Sequence, residues 1–201
     1  VGMLTRRNHY LLNNSDSVHT VLVERFFNKQ LYHYEAIIHE RVCPIDKSLQ
    51  MRPVSLPIIV EHSGYVGTPE ELAAKAGRNI KLLLKELTNS PLDPYLHFQL
   101  GQSYNLMQDK EKACHHYRIG MEQSPNPALE YVQMMALGYG YALIDLGLHK
   151  EALQLENIYK DFCQTADFVC LMGIIYLRNG LLEQSVDEFC KATTMEISHV
   201  E

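Results

Sequence analysis

The chain has 201 residues, of which 46% are hydrophobic and 21% are charged, proportions typical of a soluble globular protein of one large or two small domains. The net charge of −6, without basic clusters, argues against general nucleic-acid binding. The longest apolar runs, such as residues 56–60, are too short to span a bilayer, and the start has no signal-peptide pattern. We therefore expect a cytoplasmic protein with no transmembrane segment and no nucleic-acid partner.

The cysteines give no sign of a metal or disulfide framework. None belongs to a C-x-x-C pair, and their number is odd. This pattern favours buried, reduced thiols over disulfides or zinc, so no metal site is expected. The cysteines are Cys43, Cys114, Cys163, Cys170 and Cys190.

Residues 1–65 are rich in β-branched and aromatic side chains. Residues 20–27 (TVLVERFF) and 31–42 (LYHYEAIIHERV) each predict a strand. Asn28 and Lys29 lie between them as a predicted turn, so the two strands are expected to pair as a hairpin.

The remainder of this segment predicts loops at 13–17 and 43–53 and a short apolar strand at 56–60. So few strands cannot cover both faces of a sheet. We expect residues 1–65 to be the end of a larger domain whose beginning lies outside this chain.

A helix is predicted to begin at Thr68. Thr68 can cap it, Pro69 suits the first helical position, and Glu71 completes a capping box. An apolar stripe at steps of three and four continues to about Thr88, formed by Leu72, Ala76, Ile80, Leu83 and Leu87. The opposite side is basic, a pattern typical of a solvated face although it could meet phosphate, and carries Lys75, Arg78, Lys81 and Lys85. We assign residues 66–92 to this connecting helix.

Residues 93–125 predict two short helices joined by a tight turn. Small Gly101 and Ala113 stand where the helices would cross, and Pro125 ends the second helix. The spacing of six residues over about 34 positions is the tetratricopeptide pattern. These six are Leu100, Gly101, Tyr104, Ala113, Tyr117 and Pro125.

Two further repeats follow. The second has Gly140, Leu143 and Ala152 in matching places, and the third has Gly173, Tyr176, Ser185, Phe189 and Ala192. The second is preceded by an insertion, which residues 126–131 are expected to absorb by lengthening the turn or the next helix. The predicted fold is therefore mainly α: a tetratricopeptide-type α-α superhelix of about three repeats over residues 93–201, preceded by a small β-rich segment.

The concave face of such an array is predicted to be apolar and aromatic. It lacks the Lys, Arg and Asn residues that capture a terminal carboxylate. Two occupants stay open: a protein or peptide acceptor, or packing by a neighbouring helix or a second copy of the chain. The candidate groove residues are Tyr95, Phe98, Gln102, Leu137, Tyr141 and Ile174.

The order of five segments carries a family resemblance: ERFF, YEAIIHE, IIVEHSGY, KAGRNIKLLLKEL and DPYLHFQLGQSY. It resembles the end of a family-2-type (GT-A) glycosyltransferase catalytic domain running into its tetratricopeptide extension. Three positions depart from the family pattern, namely Ala36, Phe27 and Ser63. The matching positions are Arg25, Phe26, Tyr34, Glu35, Ile38, His39, Glu40, His62, Gly64, Tyr65, Lys75, Arg78 and Asn79.

The resemblance implies an inverting transfer from a nucleotide sugar, with a divalent metal (Mn²⁺ or Mg²⁺) in the complete enzyme. Nothing in residues 1–62 matches the family's D-x-D metal motif or its catalytic base. The chain alone is therefore expected to be inactive, to hold no cofactor, and to need the missing catalytic half as a partner.

His39 and Glu40 are the candidate catalytic pair. Neighbouring side chains on a strand point to opposite faces, and the resemblance places His39 toward the cleft. The alternative is a hydrogen-bonded strand histidine beside an exposed glutamate. A zinc-protease motif is excluded because Cys43 stands where its second histidine would be.

Three other residues are candidates for substrate binding. Arg25 could hold a phosphate with two hydrogen bonds, although a surface ion pair explains it equally well. His62 and Tyr65 follow from the resemblance, and the alternative for both is a turn at Gly64 leading into the first helix. Two functions stay open: the C-terminal part of a glycosyltransferase, or a non-enzymatic tetratricopeptide scaffold.

Overall fold

In a computed structural model the chain is mainly α-helical, with a smaller β-rich part at its N-terminal end, as the sequence predicts. The structure describes residues 1–12, 15–35 and 40–195. The chain divides into two compact units: the first extends to Lys75 and the second begins at Ala76.

The first unit contains two small sheets. A three-stranded sheet has the order β2-β1-β5, in which β1 is antiparallel to β2 and parallel to β5. Strands β3 and β4 pair with each other in antiparallel fashion. The strands are β1 (Gly2–Leu12), β2 (Ser15–Phe26), β3 (Tyr32–Glu35), β4 (Arg41–Pro44) and β5 (Val54–Tyr65).

The strand pairing corrects the sequence prediction. The turn after β2 is present, since the Leu31 N–H donates to the Asn28 carbonyl oxygen over 2.9 Å. However, β2 pairs with β1 and not with the segment that follows the turn. The single strand predicted over residues 31–42 is wrong, because the chain folds back and pairs Glu35 with Arg41.

The bounds of the predicted loops are also corrected, because strands extend into both of them. Ser15–Ser17 belong to β2, and Cys43 and Pro44 belong to β4, so only 45–53 of the second loop connects strands. The predicted strand at 56–60 lies inside the longer β5. Strand β1 was not predicted, because its RRNH core carries no simple apolar alternation.

Helix α1 (Pro69–Leu87) begins as predicted. The Thr68 N–H donates to Glu71 Oε2 over 2.9 Å, and the Glu71 N–H donates to Thr68 Oγ1 over 3.3 Å, which is a capping box. The predicted apolar stripe of α1 is buried at Ala76, Ile80 and Leu83.

The second unit continues with helices arranged as three hairpins. Hairpin 1 is α2 (Pro94–Leu106) with α3 (Lys110–Glu122). Hairpin 2 is α4 (Glu130–Asp145) with a broken return of α5 (His149–Ala152), a 3₁₀ segment (Leu153–Ile158) and α6 (Tyr159–Phe162). Hairpin 3 is α7 (Ala166–Arg178) with α8 (Leu182–Thr194). Since α4 contacts both α2 and α7, the first helices of the hairpins lie side by side.

A glycine marks the helix crossing in each hairpin. A Cβ at Gly101 would overlap the ring of Tyr117, and a Cβ at Gly173 would lie 2.7 Å from Cε1 of Phe189. In both hairpins the ring is sixteen residues after the glycine. The predicted crossing of hairpin 1 is thus confirmed in its packing: Leu100 and Ala113 are fully buried beside it.

The turns between helices repeat one backbone geometry. The residue seven places after each crossing glycine has a positive φ: 60° at Gln108, 71° at Gly147 and 76° at Gly180. The next N–H donates to the carbonyl oxygen five residues earlier in every case, from Asp109 to Tyr104, Leu148 to Leu143 and Leu181 to Tyr176, over 2.9–3.0 Å. This bond is the signature of a Schellman C-cap.

Hairpin 2 departs from the other two in its returning helix. Sixteen residues after Gly140 stands Glu156 instead of an aromatic residue. A regular helix would carry this carboxylate into the crossing, where burial is unfavourable. The 3₁₀ segment instead brings Leu155 against Gly140 and leaves Glu156 exposed.

The predicted insertion before hairpin 2 is absorbed in both of the expected ways. Helix α4 has 16 residues where α2 and α7 have 13, and residues 123–129 form a longer connection.

A buried histidine pair lies inside hairpin 1. Nδ1 of His97 and Nδ1 of His116 are 3.0 Å apart, and Nε2 of His97 is 3.0 Å from the Pro91 carbonyl oxygen. Because that oxygen can only accept, His97 carries its proton on Nε2 and accepts at Nδ1 from His116. His116 also stacks on Tyr104, with ring centroids 5.4 Å apart.

Candidate functional site

Arg25 lies near the end of β2, exposed to solvent. Its Nη1 donates to the carbonyl oxygen of Glu24 over 3.0 Å, and its guanidinium carbon is 5.9 Å from the centre of the Tyr34 ring. Phe27 meets the same ring edge-on, with centroids 5.0 Å apart. The structure thus brings together the ERFF and YHYE segments. Among the residues that it describes, the other donors of the Arg25 guanidinium have no hydrogen-bond acceptor and could meet an anion.

The catalytic candidates are only partly located. His39 lies outside the described residues, so its predicted role stays a prediction. Glu40 is exposed immediately before β4.

His62 lies on β5 opposite Asn8 of β1, half-buried. Burial, the Arg6 guanidinium and the Lys75 ammonium group together lower the pKa of His62. Asn8 is almost fully buried, and within the described part of the chain neither its Oδ1 nor the buried Nε of Arg6 has a hydrogen-bond partner. The neighbouring positive charges favour an anion over a cation at this position.

The sheet separates two of the candidates. Arg25 lies beside the irregular pairing at Gly2, whereas His62 pairs with Asn8, six residues further along β1. At about 3.3 Å per residue, roughly 20 Å separates the two positions along the strands. Arg25 and His62 therefore do not line one small site. Tyr65 ends β5 with its backbone paired to Tyr10, and its side chain is outside the described set.

The metal that the resemblance implies does not fit the residues that the structure describes. Among them, no three His, Cys, Asp or Glu side chains converge closely enough to hold an ion. No step of sugar transfer is assigned to these residues.

The second unit presents a row of exposed apolar side chains on the first helices of the hairpins. Tyr141 is 42% exposed, Met134 45% and Leu177 49%. Burial, and after it the proximity of Cys170 and Asp167 on α7, raise the pKa of Tyr141, so α4 and α7 are neighbours at this surface. Tyr95 and Tyr131 meet edge-on at 5.1 Å between α2 and α4. We define the row surface by Tyr95, Leu106, Met134, Tyr141 and Leu177.

Four groove candidates differ in exposure from what was expected. Phe98 is 4% exposed and belongs to the hydrophobic core, where it packs against Tyr131 at 5.7 Å, so its assignment to the groove is wrong. Leu137, Ile174 and Gln102 are half-buried, and Leu137 packs against the core. Simple repeat spacing missed this, because the burial of each position depends on how the next hairpin rotates against it.

Comparison with known proteins places the chain in no group: no family model and no curated protein matches it. Within the described residues, no helix is long and apolar enough to cross a membrane. The five cysteines are free thiols.

Proposed function

We propose that the second unit is a tetratricopeptide-type array that binds a protein or peptide segment along the row surface. The observation that carries the proposal is the recurrence of one hairpin design. Crossing glycines Gly101, Gly140 and Gly173 are each followed seven residues later by a turn of the same backbone geometry. Stacked hairpins of this kind use the surface of their first helices for recognition.

We also propose that the array extends a family-2-type glycosyltransferase domain, of which the first unit is the distal part. The sequence resemblance supports this, and so does an apolar outer sheet face. Val18, Leu22 and Ile59 are 48–55% exposed. Val18 pairs with His9, and both Leu22 and Ile59 pair with Thr5, so the three side chains lie on one side of the sheet. Such a face is favourable only if something covers it.

In this role the first unit would form part of the wall of a site for a nucleotide sugar. Arg25 presents guanidinium donors that have no acceptor within the described part of the chain and that suit a phosphate. His62, whose pKa is lowered by burial and by the neighbouring Arg6 and Lys75, would contact a diphosphate or sugar oxygen as a hydrogen-bond partner. Under this proposal the metal motif and the catalytic base would lie in a preceding segment, and the sequence encoded directly upstream of Val1 tests this. A D-x-D-bearing α/β sequence there supports the glycosyltransferase, and its absence favours a non-enzymatic scaffold.

The binding role is tested by replacing Tyr141 and Leu177 together with glutamate. Two charges on the row surface should abolish binding of peptides selected from a display library on the wild-type protein. They should also reduce any self-association measured by sedimentation. The fold should persist, because both side chains are about half exposed.

A matched control carries the same change elsewhere. Leu182 and Val186 are 61% and 59% exposed on α8. Their replacement by glutamate adds the same charge away from the first helices and should leave binding intact. Equal loss in both double variants, or no loss in either, would show that the row surface is not the binding surface.

A further inference from the structure

An open cavity of about 610 Å³ lies between the turn of hairpin 2 and the C-terminal end of α7. Three of the side chains that line it are basic: His149, Lys150 and Arg178. The protein as a whole has a net charge of −6, so this is a local reversal of its charge.

The cations in this cavity lack an internal counterion. Lys150 and Arg178 are exposed, and within the described residues neither forms an ion pair. The one carboxylate in the lining, Glu151, is already paired: its Oε1 lies 2.8 Å from Nη2 of Arg118 and accepts from the Tyr139 hydroxyl at 3.4 Å. Positive charge therefore stays unbalanced at the cavity.

The first junction, between hairpins 1 and 2, contains an ion pair that the second junction, between hairpins 2 and 3, lacks. Lys110, nine residues after Gly101, pairs with Asp145, five residues after Gly140, with 3.0 Å between Nζ and Oδ2. One repeat further along, the same two positions are His149 and Arg178. At the second junction Arg178 thus stands where the first junction has the carboxylate of Asp145. With His149 and the adjacent Lys150, three basic side chains meet there.

The walls of the cavity are tied together. Asn179 Nδ2 donates to the His149 carbonyl oxygen over 2.9 Å and to that of Ile175 over 2.8 Å, which links the turn of hairpin 2 to α7. A Cβ placed on Gly147 would meet no atom within 4 Å, so the turn is open to an approaching group. These bonds fix the backbone of the cavity wall, while the exposed Lys150 and Arg178 side chains must be ordered when an anion binds.

We propose that this second junction binds a carboxylate of an acidic peptide segment, in the place that Asp145 occupies at the first junction. Lys150 and Arg178 would each donate a charge-assisted hydrogen bond. Binding of an anion here is independent of the row surface. Only the assignment of the anion to a peptide rests on the proposed function.

The test is a titration of the ¹⁵N-labelled protein with a blocked tetraglutamate peptide and, separately, with inorganic phosphate. The peptide should shift the amide signals of residues 147–151 and 178–180. Lys150→Ala with Arg178→Ala should weaken this binding about tenfold, since exposed pairs contribute modestly. Lys81→Ala with Lys160→Ala, which removes equal charge from exposed positions elsewhere, should leave it unchanged. Saturation by phosphate with no response to the peptide would overturn the peptide assignment.

Exchanging the charged residues of the two junctions gives a second measurement of the same binding. Arg178→Asp should build the missing internal pair and abolish peptide binding. Asp145→Arg should remove the counterion of Lys110, whose Nζ keeps its hydrogen bond to Asn105 Oδ1 (2.7 Å). It should thereby create a new anion site, and binding there should shift the amide signals of residues 106–111. If neither exchange changes peptide binding, the proposal for this cavity is wrong, even where the Tyr141 and Leu177 variant loses its selected peptides. If both exchanges change binding while the Tyr141 and Leu177 variant keeps its selected peptides, the cavity is a binding site and the row surface is not.

Discussion

At the scale of single residues, the close approach of the helices in hairpin 1 depends on the missing side chain of Gly101. We expect Gly101→Ala to lower the free energy of unfolding by about 1–3 kcal/mol, because the Tyr117 ring must move from a packed core. Chemical denaturation measures this. Gly77→Ala is the control: Gly77 lies inside α1, where an added methyl group would meet no neighbouring atom within 4 Å. The same substitution there should stabilise by roughly 0.5–1 kcal/mol, and destabilisation at both positions would contradict the packing argument.

The histidine pair predicts a dependence of stability on pH. Burial, His97 and His115 lower the pKa of His116 from its ordinary value of 6.5 to about 4. As the pH falls below 6.5 the unfolded chain therefore takes up a proton before the folded protein does. The stabilising contribution is complete above about pH 6.5 and is lost as the pH falls through about 4, by up to roughly 3 kcal/mol.

His116→Asn isolates this effect. The asparagine amide can still donate to Nδ1 of His97, but it does not titrate. Between pH 6.5 and 5 the variant should lose less stability than the wild type. His115→Asn, at an exposed position, removes only the smallest of the three effects on the pKa of His116 and should stay close to the wild type. Parallel curves for all three proteins in urea unfolding would place the acid sensitivity elsewhere.

The residues at crossings could be predicted from the sequence, and the residues of a site could not. Gly101, Ala113 and Tyr117 are close in sequence and meet through local helix geometry. The exposure of Phe98, by contrast, depends on Tyr131, which belongs to another hairpin. The His97 and His116 pair was missed because neither residue carries a motif, although both lie on helices already predicted to face each other.

At the scale of elements, the residue with a positive φ is not the same type in the three turns. Gln108 has a φ of 60°, a conformation in which glycine stands at the equivalent Gly147 and Gly180. Gln108→Gly should therefore stabilise the protein by about 1 kcal/mol, because the left-handed conformation costs a residue with a Cβ roughly that much. Gly180→Ala should destabilise by a similar amount, since no side chain nearby would compensate. In both thermal and urea unfolding, the midpoint should rise for Gln108→Gly and fall for Gly180→Ala.

The broken return of hairpin 2 had a signal in the sequence that repeat spacing alone did not use. An acidic residue, Glu156, occupies the place that Tyr117 and Phe189 hold in the other hairpins. Burial and the neighbouring Glu156 carboxylate raise the pKa of Tyr176, so this carboxylate lies beside α7. A charged residue at a crossing thus predicts a local change of helix type.

At the scale of the whole molecule, local and non-local structure were predicted unequally. The helical hairpins follow from spacing within about 34 residues. The sheet follows from pairing of Gly2 with Val54 and of Asn8 with His62, more than fifty residues apart in the chain. No short pattern specifies a parallel partner at that distance, so the strands near β2 and β5 were found and their order was not.

The Tyr117 ring has a consequence for how the array opens. It fills the crossing at Gly101 and also lies against Gly138, where an added Cβ would be 2.8 Å from its Cζ. One side chain therefore belongs to hairpins 1 and 2 at once, and neither can separate without exposing it. Native-state hydrogen exchange should find α2, α3 and α4 opening as one cooperative unit, with protection that rises and falls together.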